Sequence, residues 1–167
     1  MSNRTKRELI KNKFGGLCAY SGKELDEKWQ VDHAMPKMHY IWIQPKEQRE
    51  RLGIDFDNVD DIKNLLPAIS IVNHYKRDKT IDQFREYLLT FHLRLAKLPK
   101  KTAVKATEKR IIYMKKVAEL FEIEVDTPFC GKFYFENNFP TKRTGDDAVL
   151  LKKDANFKPS DRWSGRY

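Results

Sequence analysis

Residues 29–36 read Trp-Gln-Val-Asp-His-Ala-Met-Pro (WQVDHAMP), and this stretch decides the fold that we predict. Apolar and polar side chains alternate from Trp29 to Asp32, which indicates a β-strand with one buried face. Pro36 follows closely, and proline interrupts regular strand pairing. The sequence therefore places Asp32 and His33 at the end of a short strand, and both are residue types that carry acid–base and metal chemistry.

Two polar fragments follow later in the chain at informative distances. They are Asn64-Leu65-Leu66-Pro67 and Asn73-His74-Tyr75-Lys76. A helix beginning near Val72 would present Asn73 and Lys76 on one face, because side chains three residues apart are neighbours on a helix. Each fragment alone occurs by chance in many chains, so it is their order and spacing that indicate a function.

The chain resembles the HNH endonuclease family in the order and spacing of these fragments and of Asp32-His33. The segment GGLCAYSGKEL at residues 15–25 precedes them, and a predicted helix from Thr80 follows them. The resemblance covers about residues 4–95. Members of this family have a ββα-metal unit, in which a strand-end Asp-His, a loop Asn and a helical Asn or His surround one divalent cation. The resemblance therefore implies the α+β class, with a ββα-metal (HNH) catalytic unit embedded in a mainly helical single domain.

The resemblance also implies a role for each matching residue. His33 is the expected general base, Asn64 orients its imidazole through the loop backbone, and Lys76 lies near the phosphate. Asp32 and Asn73 are the expected metal ligands. Asn58 competes with Asn64 for the middle position but lacks the Leu-x-Pro that follows Asn64.

Phosphodiester hydrolysis fits these residue types. The reaction needs a deprotonated water and positive charge near the developing phosphorane, which a histidine of reference pKa ~6.5 and a hard cation can supply. Oxygen ligands from Asp32 and Asn73 suit Mg²⁺, with Mn²⁺ as an alternative. We therefore expect a metal-dependent endonuclease that acts on DNA, with RNA not excluded as the substrate.

Many members of the family hold a structural zinc ion with two Cys-x-x-Cys pairs. The matching places here hold Cys18 and Ser21, then Ile69 and Val72. Aliphatic side chains cannot coordinate zinc, and a tetrahedral structural site needs four thiolate or imidazole ligands. We expect no structural zinc, and instead expect Ile69 and Val72 to fill the space by apolar packing beside a buried Cys18 thiol.

The remaining pattern is mainly helical. It predicts helices at residues 4–14, from Thr80 to Leu98 with a Thr80/Gln83 capping box, and at 103–121, and a strand in FCGKFYF at 129–135 with Cys130 as a small core residue. Residues 37–62 are interpreted as an insertion with a short helix that begins at Pro45 and ends near Gly53. Its acidic stretch DFDNVDD at 55–61 is interpreted as a solvated loop rather than a calcium site. The predicted organisation is a nuclease domain over 1–140, with a core at about 14–95 and a helical extension at about 97–125, and a polar basic tail over 141–167.

Positive charge is concentrated in a few stretches of the chain. The formal net charge is +9, and residues 97–116 hold eight Lys or Arg side chains against one Glu. Such local excess is typical of surfaces that contact phosphate backbones, although a charge run is also common on a solvated helix face. The nucleic-acid contacts that we predict are Lys37, His39, Lys101, Lys105, Lys109 and Arg110.

The chain has two cysteines and no apolar run of about 20 residues, which favours a cytoplasmic protein without a membrane partner. We expect a monomer or a homodimer. Two alternatives stay open beside the nuclease. One is a noncatalytic nucleic-acid-binding module with an HNH-like fold, and the other is a toxin-like nonspecific nuclease.

Overall fold

The computed structural model describes residues 3–42 and 56–138, which combine helices with a small antiparallel sheet, as expected for the α+β class. The elements are α1 (Asn3–Lys13), β1 (Gln30–His33), α2 (Lys37–Trp42), a 3₁₀ turn (Ile62–Asn64), β2 (Leu65–Ala68), α3 (Ser70–Lys76), α4 (Ile81–Leu89), α5 (Phe91–Ala96), α6 (Lys105–Leu120) and α7 (Tyr134–Asn138). None of the helices in these two stretches is long and apolar enough to cross a bilayer. The predicted tail lies outside the described residues.

The sheet consists of β1 and β2, which pair so that Asp32 lies opposite Leu66 and His33 opposite Leu65. The β1 strand is confirmed, whereas the sequence analysis placed no strand at Leu65–Ala68. Pro67 is compatible with β2 because a two-stranded sheet has only edge strands, where the missing N–H costs no ladder bond. The Pro67 carbonyl accepts a hydrogen bond from the Ala19 N–H at 2.8 Å, which joins the GGLCAYSGKEL segment to the sheet.

Helix α3 follows β2 after a single residue and packs against β1. It begins at Ser70, two positions before the predicted start. The side chains of Asn73 and Lys76 both contact β1, at Gln30 and Asp32 respectively, so the expectation that they share one face is confirmed.

The main core lies between the sheet and helices α3 to α6 and is rich in aromatic side chains. Tyr20 makes edge contacts with Phe84 and Phe133, whose rings are stacked at 5.6 Å. Ile69 and Val72 are buried in the same cluster as Cys18, which is a free thiol, so the predicted apolar packing is confirmed.

The predicted helix from Thr80 is confirmed at its start and differs at its end. The Thr80 hydroxyl accepts from the Gln83 N–H at 3.3 Å and the Gln83 side chain accepts from the Thr80 N–H at 2.9 Å, which is the expected capping box. The helix ends at Leu89, and α5 begins at Phe91. Between them, the Thr90 hydroxyl donates to the carbonyls of the preceding turn, a local bond that competes with helix continuation.

The predicted strand at 129–135 is wrong. Gly131 has a φ of +84°, which breaks extended structure, and α7 begins at Tyr134. The apolar alternation reflects burial of Phe129 and Phe133 in the aromatic core rather than pairing in a sheet. Cys130 lies in this turn and is exposed, so its predicted core position is also wrong.

The remaining helix predictions are confirmed as elements, with differences in detail. Helix α1 buries Ile10, and Phe14 directly after its end is also buried, while Leu9 is exposed. Helix α6 matches the predicted helix at 103–121, but Val104 lies outside it and is exposed. In the predicted insertion, α2 and the segment from residue 56 onward are described, and a short helix predicted between Pro45 and Gly53 lies outside the described residues.

Candidate active site

Asp32 lies at the centre of a buried polar network beneath the end of β1. Its carboxylate accepts a hydrogen bond from the Tyr20 hydroxyl and pairs with the Lys76 ammonium group at 3.0 Å. The Lys76 side chain is 0% exposed, and its Nζ also donates to the His33 carbonyl at 2.7 Å. Tyr20, Asp32 and Lys76 therefore form one connected unit, called here the Asp32 network.

Burial governs the protonation of this network. Burial raises the pKa of Asp32, and the neighbouring Lys76 ammonium group partly offsets this rise. Burial lowers the pKa of Lys76, and the Asp32 carboxylate partly offsets that fall. Each charge thus stays in the interior because the other lies beside it. Burial and the Asp32 carboxylate raise the pKa of Tyr20 well above its ordinary value, so Tyr20 is a hydroxyl donor at neutral pH.

The position of Lys76 corrects one expectation. The sequence analysis placed it near the phosphate, but its side chain is fully buried between Asp32 and the His33 carbonyl. In this arrangement its ammonium group does not reach the surface. The Asp32 carboxylate compensates the charge of the buried ammonium group, which would otherwise be costly to keep in the interior.

The two predicted metal ligands lie on adjacent elements with different partners. The Asp32 oxygens face Tyr20 and Lys76, while the Asn73 amide nitrogen donates to Gln30 Oε1 at 2.7 Å. This pose leaves Oδ1, the side-chain oxygen of Asn73, without a hydrogen bond from any residue that the structure describes. The donors are carboxylate and amide oxygens, which fit a hard cation such as Mg²⁺. In the described ranges, no cluster of three or more His, Cys, Asp or Glu side chains could hold a metal ion.

His33 lies at the exposed edge of the same strand end. Its side chain is 22% exposed, and Nε2 lies 2.8 Å from Asp60 Oδ1. Asp60 is also paired with Lys37 Nζ at 3.0 Å. Hydrogen bonds from His33 and then from Lys37 lower the pKa of Asp60, so it is a carboxylate at neutral pH. Among the described residues, no hydrogen bond is made to His33 Nδ1.

The sequence analysis did not single out Asp60. It belongs to the acidic stretch at 55–61, which the pattern assigned to a solvated loop. The signal that could have found it is the density of acidic residues shortly before Asn64, within reach of a strand-end histidine. The contact joins residues 27 positions apart, and no local pattern specifies such a pairing.

Asn64 is buried and acts on the loops around His33. Its side chain accepts from the Met35 N–H at 2.7 Å and donates to the carbonyls of Met35 and Val59 at 3.0 and 2.8 Å. Its own carbonyl accepts from the Ala34 N–H at 2.8 Å. Asn64 therefore joins the loop after β1 to the loop that carries Asp60, and none of these hydrogen bonds is made to the His33 ring.

The competing candidate, Asn58, has a different place in the same loop. It is exposed, and its side-chain oxygen accepts from the Asp60 N–H at 2.8 Å. Asn58 therefore shapes the turn at Asp60, while Asn64 holds that turn against the end of β1.

The predicted nucleic-acid contacts divide into two groups. Lys37 is linked to His33 by Asp60, whose carboxylate contacts both side chains, and His39 is partly buried on α2. The other group is exposed on α6 or just before it, and consists of Lys101, Lys105, Lys109 and Arg110. Helix α6 packs against α3 through Tyr113, whose ring lies 5.8 Å from that of His74, the neighbour of Asn73. The basic helix is thus joined to the helix that carries a predicted metal ligand.

A comparison of the chain with models of protein families, with curated proteins and with solved structures finds no match in any of the three.

Proposed function

We propose that this chain is an HNH-type, Mg²⁺-dependent endonuclease that hydrolyses phosphodiester bonds in DNA, with His33 as the general base. The observation that carries the proposal is the placement of His33. Its imidazole is partly exposed at a strand end, and one ring nitrogen is bonded to a carboxylate. Asp32 precedes it in the same strand, and Asn73 contacts that strand at Gln30.

The residues around His33 support a proton-accepting role. Asp60 is a carboxylate and can only accept, so a neutral His33 ring donates its Nε2–H to Asp60 and keeps a lone pair on Nδ1. That lone pair is free to take a proton from water, which is the task of a general base. His33 is also fixed through its backbone, because Lys76 binds its carbonyl.

Asp32 and Asn73 are the residues that would hold Mg²⁺, through side-chain oxygens. When bound, a divalent cation would stabilise negative charge on the phosphate. The chain contributes the ligands and keeps them in place, since Asp32 is held by Tyr20 and Asn73 by Gln30.

Binding of the DNA backbone is assigned to the exposed basic residues. One helix and the loop before it carry these residues, which are Lys101, Lys105, Lys109 and Arg110. None of them forms an ion pair within residues 3–42 and 56–138. Lys37 adds a positive charge beside His33. Contacts of this kind bind DNA of any sequence, with an affinity that falls as salt rises.

Incubation with supercoiled plasmid, with and without Mg²⁺, tests the proposal. Wild-type protein should give nicked or linear product only when Mg²⁺ is present. His33→Ala should reduce the rate by about 10²- to 10⁴-fold, the range for a lost general base, while affinity for DNA is retained. The matched control is His92→Ala, which removes a histidine from α5, outside this site. Cleavage by His33→Ala at a rate near that of wild type would contradict the assignment of the base.

One observation favours a noncatalytic DNA-binding module as a second candidate. Lys76 already neutralises Asp32, as a bound cation otherwise would. A module of this kind would bind plasmid with normal salt dependence and leave it intact in both Mg²⁺ and Mn²⁺. The plasmid experiment therefore separates the two candidates.

A further inference from the structure

Asp60 is held more firmly than an exposed aspartate usually is. One side-chain oxygen lies 2.8 Å from His33 Nε2, and the carboxylate is paired with Lys37 Nζ at 3.0 Å. Its N–H donates to Asn58 Oδ1 at 2.8 Å, and its carbonyl accepts from the Lys6 ammonium group of α1. Both backbone groups and the side chain of Asp60 are therefore bonded to residues from four separate places in the chain.

The loop that carries Asp60 is itself fixed. Asp61 accepts from the Lys63 N–H at 2.9 Å and caps the 3₁₀ turn, and the buried Asn64 bonds the Val59 carbonyl at 2.8 Å. Asp60 lies between these two anchors. Its carboxylate thus has a defined position relative to the His33 ring before any substrate binds.

We propose that Asp60 is a positioning residue for His33. Its carboxylate selects the Nε2–H tautomer of the His33 imidazole and fixes the direction of Nδ1. The inference rests on the proposed function, in which Nδ1 takes the proton from water. A carboxylate accepts but does not donate, so it favours the tautomer with hydrogen on the nitrogen that it faces. Second partners of this kind set the tautomer and orientation of functional histidines.

Lys37 supports this role by contacting both oxygens of the Asp60 carboxylate. Its Nζ lies 3.0 Å from Oδ1 and 3.3 Å from Oδ2 of Asp60, so it limits rotation of the carboxylate towards solvent. A surface ion pair alone contributes little to stability. Orientation of the His33 ring is a different property, and it can be measured separately from stability.

The first test is the tautomer of His33 in the full-length chain. Nitrogen-15 NMR is recorded at a series of rising pH values, and the tautomer is assigned where the ring signals of His33 no longer change with pH. Wild-type protein should show a protonated Nε2 and an unprotonated Nδ1. Asp60→Ala should give a mixture of the two tautomers, and Asp60→Asn, which keeps a carbonyl oxygen as acceptor, should give an intermediate result.

The matched control is Asp61→Asn. It removes a negative charge at the adjacent position and keeps an oxygen to cap Lys63, without contacting His33. Asp61→Asn should leave the tautomer of His33 unchanged. An unchanged tautomer in Asp60→Ala, or an equal change in Asp61→Asn, would overturn the proposal.

The second test is plasmid cleavage by the same variants. Asp60→Ala should reduce kcat by about 10- to 100-fold, as does loss of a partner that orients a functional histidine, with KM for DNA changed far less. An altered tautomer with unchanged kcat would overturn the role in catalysis. If wild-type protein does not cleave DNA at all, the nuclease assignment fails, while the NMR result still decides whether Asp60 orients His33.

Discussion

Replacing Lys76 by Met should strongly destabilise the fold. Met is similar in length and keeps the apolar part of the side chain, but it removes the ammonium group. Asp32 then remains buried, and among the described side chains the Tyr20 hydroxyl is its remaining hydrogen-bond partner, while the His33 carbonyl loses its donor. The substitution therefore leaves an uncompensated carboxylate in the interior.

The expected magnitude follows from the burial of the pair. Breaking a buried ion pair by removing one partner costs about 3–5 kcal/mol of unfolding free energy. For a chain of this size, 1 kcal/mol shifts Tm by roughly 2–4 °C, so Lys76→Met should lower Tm by roughly 6–20 °C. Adding Asp32→Asn should recover part of the loss, because Asn is uncharged and still offers an oxygen to Tyr20.

Thermal and urea unfolding of four proteins measure this effect: wild type, Lys76→Met, Asp32→Asn and the double variant. The matched control is Lys23→Met, which breaks the exposed pair of Lys23 and Glu122. The control should leave the transition unchanged. If Lys76→Met unfolds at the same temperature as Lys23→Met, or if the effects of the two Asp32-network substitutions simply add, the reasoning from burial is refuted.

Three other predictions follow. Asn64→Leu should cost about 2 kcal/mol in urea unfolding, because it leaves the partly buried Met35 N–H and Val59 carbonyl without these hydrogen bonds. A smaller loss than that of exposed Asn58→Leu would contradict this. Elemental analysis should find no stoichiometric zinc, and a chelator should lower Tm by no more than a few degrees. Unfolding on chelation would indicate a structural metal site with other ligands. The double variant Lys109→Ala/Arg110→Ala should reduce the slope of log affinity for DNA against log salt concentration by about one per lost phosphate contact. The control pair is Lys23→Ala/Lys132→Ala, and an unchanged slope in the first variant would place the DNA on another surface.

Local patterns predicted the elements that local interactions specify. The start of α4 was predicted because the Thr80/Gln83 capping box joins residues three apart. The alternation in WQVDH predicted the strand β1 but not its burial, because Asp32 is buried while Val31 is only partly buried. The shared face of Asn73 and Lys76 followed from helix geometry alone. Each of these features depends on residues within one turn or one strand, which is the range over which sequence patterns are informative.

Features that depend on distant contacts were not predicted. The aromatic residues at 129–135 alternate as in a strand, but Phe133 is buried against Tyr20 and Phe84, and α7 begins directly after it. Likewise, the inward turn of Lys76 depends on Asp32, which is 44 positions earlier in the chain. Neither contact has a signature in the surrounding sequence.

Two aspartate–lysine pairs hold His33 in place, and they differ in their exposure to solvent. Asp32 and Lys76 are buried, and Lys76 holds the backbone carbonyl of His33. Asp60 and Lys37 are about half exposed, and Asp60 holds the ring. Salt screens exposed charges far more than buried ones. Added salt should therefore weaken the orientation of the His33 ring while the strand end that carries it stays in place, so that the reactivity of the site is more sensitive to salt than the stability of the fold.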